Sequence, residues 1–294
     1  MGISVRATGP AIAVALLLGC WAVPPAAAVD TEPPKVVVRV DTDSLRMPST
    51  LRPGWYRFVV RVRGASSDGV QLVRPRAGYS VSEFADDLDA AVGSGRAAKR
   101  AAKRLKDNAR MWGGTEVEGG TTGVFWQKLP RGRLFVTSGN TADTPRVVTV
   151  SGARRPSMPP VAASVATVAD GSLTLSGSSL PASGVLKVRN RGTRDHRVGI
   201  AKLATGRTAA DVMAFFEMYL AMVTGEPATG DAEAASPFDE SVFGAVTQLL
   251  RPGGSQYLRY ALPAGDYVAL CPFSPSGSMD LDVMDGELAA ATLG

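Results

Sequence analysis

The stretch LPAGDYVALCPFSPSGSM, residues 262–279, decides how the rest of the sequence is interpreted. It begins with a Leu-Pro-x-Gly turn, and a short apolar run follows that ends at Cys271. Turn residues followed by such a run predict a β-strand. The same order occurs 133 residues earlier, where residues 129–132 form the turn and Leu134 begins the run. The stretch is therefore predicted to close a unit that occurs twice in the chain.

Two further matches support an internal repeat. Residues 51–54 and 180–184 each place a turn containing Pro and Gly before a strand. Residues 70–83 and 198–211 match at an offset of 128, each as a short strand followed by a helix-capping pattern. Recurrence in one order predicts a tandem duplication, and chance similarity between β-rich segments is the alternative.

The repeat sets the predicted domain boundaries. The first unit is predicted at residues 36–151 and the second at residues 161–294. Residues 152–160 lie between them and contain Pro156, Pro159 and Pro160, a composition typical of a stiff, exposed linker.

The local patterns predict a mainly β fold. Short β-branched runs alternate with Gly, Pro and Ser, and residues 55–62 alternate apolar and polar positions as a half-buried strand does. Ser80 followed by Glu83 predicts a capped helix, and residues 96–111 predict a second, basic helix. We therefore expect two tandem β-sandwich domains, each with a helical insertion.

The end of the second unit resembles the copper-ligand loop of the cupredoxins, the small blue copper proteins. The motif Gly-x-Tyr-x-x-x-Cys is present from Gly265 to Cys271, and Met279 follows eight residues later. His196, the one histidine of the chain, follows an Asn-x-Gly turn at residues 190–192. The resemblance covers about the last 115 residues and implies a Greek-key β-sandwich in each unit.

The resemblance also implies copper ligands at His196, Cys271 and Met279. The family's second histidine position holds Ser274, so the ligand set is incomplete. Loss of an imidazole weakens a Cu(II) site, while Cu(I) accepts softer and fewer donors. The alternative is that these residues are core filling, and the main expectation is that no cofactor is bound. The first unit has Asp68 and Ser138 at the matching positions, which cannot form a copper–thiolate centre.

Composition limits the other chemistries. One histidine and two cysteines exclude a multi-histidine zinc centre, an iron–sulfur cluster and a disulfide scaffold. No nucleophile elbow or nucleotide-binding loop is present, although a Cys271–His196 catalytic pair is conceivable. We expect a non-catalytic binding module on a degenerate cupredoxin scaffold, and a copper-binding protein is the alternative.

The N-terminus predicts export. Residues 1–28 combine a basic start, an apolar core and an Ala-Ala-Ala exit, as a signal peptide does. A lipobox-like sequence ending at Cys20 is the alternative and would give a lipid-anchored protein. No later stretch is long and apolar enough to span a membrane, so a secreted or cell-envelope protein is expected. In composition the chain is similar to exported actinobacterial proteins.

The predicted basic helix indicates a partner class. Its cations recur every three or four residues, which forms a stripe that could meet an anionic cell-wall polymer or membrane surface. A merely solvated face is the alternative, and nucleic acid is not expected because no aromatic residues interrupt the stripe. The stripe comprises Arg96, Lys99, Arg100, Lys103, Arg104 and Lys106.

Overall fold

The computed structural model describes residues 32–139, 144–224, 236–242, 244–272 and 282–294. The predicted signal peptide at 1–28 with Cys20, the predicted ligand Met279 and Ser274 lie outside these ranges. None of the described helices is long and apolar enough to cross a membrane.

The strands and helices follow one another in the same order in both halves of the chain. The first half contains β1 (Lys35–Asp41), β2 (Ser44–Arg46), β3 (Thr50–Leu51), β4 (Gly54–Val62), β5 (Ser67–Pro75), α1 (Val81–Val92), α2 (Gly95–Asn108), β6 (Ala109–Glu118), β7 (Thr122–Leu129), β8 (Gly132–Ser138) and β9 (Arg146–Val150). The second half contains β10 (Ser164–Ala169), β11 (Ser172–Leu175), β12 (Ser179–Leu180), β13 (Ser183–Asn190), β14 (Gly199–Lys202), α3 (Ala209–Thr224), β15 (Ala245–Thr247), β16 (Ser255–Ala261), β17 (Gly265–Leu270), a short 3₁₀ helix (Asp282–Asp285) and β18 (Leu288–Leu293).

Two sheets run through both halves. The eight-stranded sheet has the order β11-β10-β13-β16-β7-β4-β1-β2, and the ten-stranded sheet has the order β12-β18-β17-β14-β15-β6-β5-β8-β9-β3. Each strand of the first half therefore has a counterpart at the mirrored place in the second half. The structure confirms the predicted fold class, a mainly β chain of two tandem sandwich units with helical insertions. The exact boundaries and the descent from a duplication stay predictions.

The two halves meet where β7 pairs with β16 and β6 pairs with β15. At this seam the side chain of Gln256 accepts a hydrogen bond from the Gly114 amide (2.8 Å) and donates one to the Gly114 carbonyl (2.9 Å). A Cβ on Gly114 would stand 1.7 Å from the Val70 carbonyl oxygen, so the close approach requires glycine. The halves are thus joined through the backbone of both sheets.

Apolar side chains fill the space between the sheets and beneath the helices. In the first half Phe58 and Phe125 stack with their ring centroids 4.8 Å apart, and both are fully buried. Helix α3 packs Val212 and Phe216 over Val268 of β17. The strand that ends at Cys271 is therefore covered on both faces.

The basic helix is shorter than predicted. Residues 96–111 were expected to be helical, but α2 ends at Asn108 and Ala109 begins β6. Pairing of β6 with β5 extends to Ala109, where it faces Pro75, so sheet hydrogen bonding overrides the local helix preference.

Candidate metal centre

The loop before β14 positions His196. Asn190 accepts a hydrogen bond from the Gly192 amide (2.8 Å) and donates to the carbonyls of Arg194 and Leu250 (2.7 Å each), which closes the predicted Asn-x-Gly turn. The backbone of His196 then exchanges two hydrogen bonds with Leu250, at 3.1 and 2.8 Å. The imidazole is consequently fixed in the interior, where it is 1% exposed.

Gly192 leaves the room that this imidazole needs. A Cβ at position 192 would stand 2.7 Å from His196 Nε2 and 2.4 Å from Asp170 Oδ1. Both contacts are too short for a carbon atom, so a side chain here would displace the histidine or its carboxylate partner.

Cys271 follows the end of β17 directly and is fully buried. Its amide donates to the Glu287 carbonyl at 3.0 Å, which extends the β17–β18 pairing and brings Glu287 beside it. Asp282 begins the 3₁₀ helix that leads into β18. The side chains of Asp282 and Glu287 are both completely buried.

The four side chains present a set of metal-ligating atoms. His196 Nδ1 lies 3.7 Å from Cys271 Sγ, 3.5 Å from Asp282 Oδ2 and 3.0 Å from Glu287 Oε2. Cys271 Sγ lies 3.7 Å from Asp282 Oδ2, and all four ligand atoms fall within 4.8 Å of one another. Tetrahedral zinc, with bonds of about 2.3 Å to sulfur and about 2.0–2.1 Å to nitrogen and oxygen, separates its ligand atoms by about 3.3–3.6 Å. The three distances from His196 Nδ1 and the one from Cys271 Sγ to Asp282 Oδ2, 3.0–3.7 Å, lie near this range, and the widest separation in the set is at most 4.8 Å.

Asp170 holds the other side of the imidazole. It occupies the two-residue turn between β10 and β11, and its Oδ1 lies 2.8 Å from His196 Nε2. The next residue, Gly171, donates its amide to Glu287 Oε1 at 3.0 Å. A carboxylate behind a ligating histidine is the usual second partner in metal sites, because it fixes the ring and raises its basicity.

Arg194 forms the outer side of the cluster. Its guanidinium lies 3.1 Å from Asp282 Oδ1, 3.9 Å from Glu287 Oε1 and 3.6 Å from Asp170 Oδ1. The side chain is 31% exposed, so the arginine links the buried carboxylates to the surface. One guanidinium is thus shared among three carboxylates.

Three side chains of the cluster have raised pKa values. Burial raises the pKa of Cys271, with the nearby charges of Glu287 and Asp282 acting in the same direction. Burial and the charge of Glu287 also raise the pKa of Asp282. For His196, burial favours the neutral ring, but hydrogen bonds to Glu287 and Asp170 outweigh it and raise the pKa.

Asp170 shows the opposite shift. Hydrogen bonds from the Thr193 hydroxyl (2.6 Å), from His196 and from the Thr193 amide lower its pKa below the usual range. The cluster therefore combines an outer carboxylate whose pKa is lowered with three inner groups whose pKa values are raised. For Cys271 and Asp282 burial is the main cause, and the neighbouring carboxylates act in the same direction.

The structure brings together two of the three ligands predicted from sequence, His196 and Cys271. The third, Met279, lies outside the described residues, so the predicted set stays untested as a whole. Asp282 and Glu287 were missed, because nothing in their local sequence separates a buried carboxylate from a surface one. Their position after the cysteine strand was the available signal.

A blue-copper arrangement does not fit the described residues. It requires two imidazoles, a thiolate and a weak axial thioether, whereas the cluster offers one imidazole, one thiol and two carboxylates.

The first half has a different arrangement at the matching positions. Asp68 Oδ1 accepts hydrogen bonds from the amides of Gly69 (2.5 Å) and Gly139 (2.6 Å), next to Ser138 at the end of β8. This carboxylate caps a loop, and no metal-ligating group of the described residues includes it.

Helix α2 exposes the whole predicted basic stripe. Its members are Arg96, Lys99, Arg100, Lys103, Arg104 and Lys106. Arg104 is exposed but paired, because its Nε and Nη2 both donate to Asp87 Oδ1, while the Tyr79 hydroxyl donates to Asp87 Oδ2 at 2.7 Å. Lys103 pairs with Asp107 one turn along the helix.

No protein-family model and no curated protein matches the chain. Among solved structures, reduced auracyanin from the photosynthetic bacterium Roseiflexus castenholzii is 18% identical over 44% of this chain and 94% of its own, with a TM-score of 0.28. A multicopper oxidase (9% identity, 88% of both chains, TM-score 0.25) and copper nitrite reductase from Nitrosomonas europaea (10%, 90% and 94%, TM-score 0.23) match both halves.

These matches bear on the predictions about enzyme activity and cofactors. The matched proteins belong to the cupredoxin class that residues 265–279 resemble, and at these identities and TM-scores the likeness concerns the fold alone. The prediction that the chain is not an enzyme is corrected, because oxidases and nitrite reductases are among the structures that match most of it. The expectation of no cofactor is likewise not supported.

Proposed function

We propose that this protein binds one divalent metal ion, zinc in preference to copper, at His196, Cys271, Asp282 and Glu287. The observation that carries the proposal is the convergence of four buried ligand atoms, from four different side chains, within 4.8 Å of one another. Surface acidic clusters rarely combine full burial with an imidazole and a thiol at such distances.

The donor set favours zinc. Zinc is bound by thiolate, imidazole and carboxylate ligands and accepts a closed tetrahedral site. Cysteine excludes a typical magnesium or calcium site, which uses oxygen donors alone. Metal binding would release protons from the site, because these side chains bind a metal ion in their deprotonated forms.

Ligation would connect three separate segments of the second half. His196 lies before β14 and Cys271 follows β17. Asp282 and Glu287 both lie in the segment that leads into β18. Because the unfolded chain cannot gather these ligands, binding free energy becomes folding free energy. Metal binding is therefore expected to stabilise the second half.

Copper is the second candidate. His196 and Cys271 occupy the positions that the cupredoxin resemblance assigns to copper ligands, and Met279 would supply a soft third donor. Cu(I) prefers such thiolate and thioether ligands. This candidate predicts that Met279 matters and that Asp282 does not.

Titration calorimetry of the apo protein with zinc tests the proposal. We expect a 1:1 complex that Cys271→Ser and Asp282→Asn abolish and Met279→Leu leaves unchanged. Asp266→Asn is the matched control, since Asp266 lies at the far end of the same strand, exposed. Loss of binding in Met279→Leu with retention in Asp282→Asn would overturn the zinc assignment in favour of copper.

We also propose that the protein acts outside the cytoplasm and meets an anionic polymer or membrane surface. The leader pattern at residues 1–28 and the exposed cations of α2 support this. N-terminal sequencing of exported protein should begin after Ala28, and co-sedimentation with anionic vesicles should decrease as salt increases. Salt-insensitive or absent binding would reject the surface role.

A further inference from the structure

A groove of about 310 Å³ opens between the two sheets, and none of the four proposed metal ligands lines it. Trp55 and Lys128 line it from the eight-stranded sheet, and Trp112 lines it from the ten-stranded sheet. Arg251 and the glycines that follow it complete the wall.

Arg251 lines this groove itself, and strand pairing brings two further arginines close to the strand that carries Trp112. Arg74 of β5 lies directly opposite Arg110 of β6 in the antiparallel register. The amide of Arg251 donates to the Met111 carbonyl at 2.9 Å, which places a third arginine beside the same strand. Like charges at directly opposed positions destabilise a sheet, so the arrangement costs stability unless something else offsets it.

Trp112 holds two of these arginines. Its ring centroid lies 4.4 Å from the guanidinium carbon of Arg251 and 5.7 Å from that of Arg74. The indole itself is fixed, because Nε1 donates to the Lys128 carbonyl at 2.9 Å. The cations are therefore held in place before any ligand arrives.

Positive charge is in excess here. Among the described residues no carboxylate lies within ion-pair distance of Arg74, Arg110 or Arg251. Burial and the charges of Arg110 and Arg74 lower the pKa of Arg251, and Asp195 offsets this only in part. The positive charges of three arginines are thus opposed by one more distant carboxylate, Asp195, and the positive charge exceeds the negative charge.

We propose that this groove binds a small multivalent oxyanion of the phosphate class. Guanidinium groups bind phosphate through paired, charge-assisted hydrogen bonds, and oriented groups lose little freedom on binding. Stacking on Trp112 supplies that orientation for Arg74 and Arg251. None of the four proposed metal ligands lines the groove, and the proposal does not depend on the proposed zinc.

Calorimetric titration with pyrophosphate at constant ionic strength tests the site. We expect saturable 1:1 binding that Arg74→Gln and Arg251→Gln each weaken about tenfold or more. Arg46→Gln removes the same charge from an exposed edge strand and should change the affinity less than twofold. The melting temperatures of the variants establish that each one is folded.

Tryptophan fluorescence gives a second readout on the wild-type protein. Pyrophosphate should alter the emission, and Trp112→Phe should remove the change. Absence of pyrophosphate binding would overturn the proposal. The proposal would also be overturned if Arg46→Gln weakened pyrophosphate binding as much as Arg74→Gln and Arg251→Gln do. Binding of long-chain polyphosphate but not of pyrophosphate would likewise overturn it, since either result would assign binding to the overall charge of the protein.

Discussion

The two halves neutralise buried carboxylates in different ways. In the first half Asp87 has its own arginine, Arg104, and a hydrogen bond from Tyr79. In the second half Asp170, Asp282 and Glu287 share Arg194 and His196. The same scaffold thus carries one site that is complete within the protein and one that is short of positive charge. We interpret this difference as support for the proposed cation site in the second half.

The largest expected effect is the loss of metal-dependent stability. Zinc at about 100 times its dissociation constant should add about 2.7 kcal/mol to the free energy of unfolding and raise the melting temperature by about 5–10 °C. Cys271→Ser should remove this rise, because the thiolate donor is lost. Differential scanning calorimetry with zinc and with a chelator measures it, and an unchanged rise in the variant would contradict the site.

The Asp87 cluster provides the contrasting case. Asp87→Asn should cost about 2–3 kcal/mol near neutral pH, because Arg104 and Tyr79 lose a charged partner. Although burial opposes ionisation, hydrogen bonds from Arg104 and Tyr79 lower the pKa of Asp87 in the folded state.

The pH dependence of that loss has a definite sign. A lowered carboxyl pKa contributes stability above the unfolded value of about 3.9 and loses it as the pH falls through the folded value. The difference in unfolding free energy between wild type and Asp87→Asn should therefore shrink below about pH 4. Denaturant titrations from pH 7 to pH 3 check this, and a constant difference would refute it. Zinc should change neither the stability loss caused by Asp87→Asn nor its pH dependence, because Asp87 lies in the first half.

Asp170→Asn tests the partner behind the histidine. Zinc affinity should fall by about 10–100-fold while the 1:1 stoichiometry persists, since the ligand atoms remain. Competition with a chromogenic chelator measures the change. An effect as large as that of Cys271→Ser would show that Asp170 ligates directly.

Ser138→Cys sharpens the comparison from the other half. It places a thiol at the position that matches Cys271, but no imidazole or buried acid pair accompanies it among the described residues. The zinc stoichiometry should remain one, as measured by elemental analysis. Two ions per chain would mean that a cysteine on this scaffold suffices.

The smallest effect concerns the groove arginines. Arg110→Gln should stabilise the apo protein by about 0.2–1 kcal/mol, because it removes the like charge opposite Arg74. Thermal melts at low salt should show the gain, and high salt should reduce it. A loss of stability would indicate that Arg110 packs rather than repels.

The sequence predicted the parts of the molecule that follow local patterns. The Ser80–Glu83 capping box forms as expected, and the Asn190–Gly192 turn and the strand ending at Cys271 place His196 beside the thiol. These signals are short-range, so a single sequence reveals them.

The features that the sequence did not predict depend on tertiary contacts. Glu287 lies beside Cys271 because β18 pairs with β17, and Asp170 reaches His196 from a hairpin 26 residues earlier. The opposition of Arg74 and Arg110 follows from a register that shifts between residues 71 and 73. Neither composition nor spacing along the chain determines such pairings.

Anomalous diffraction at the zinc edge, from crystals grown with equimolar zinc, tests the central claim most directly. We predict one peak about 2.0–2.4 Å from Cys271 Sγ, His196 Nδ1 and the nearer oxygens of Asp282 and Glu287. A peak elsewhere, or an imidazole and thiol in direct contact without a peak between them, would contradict the account.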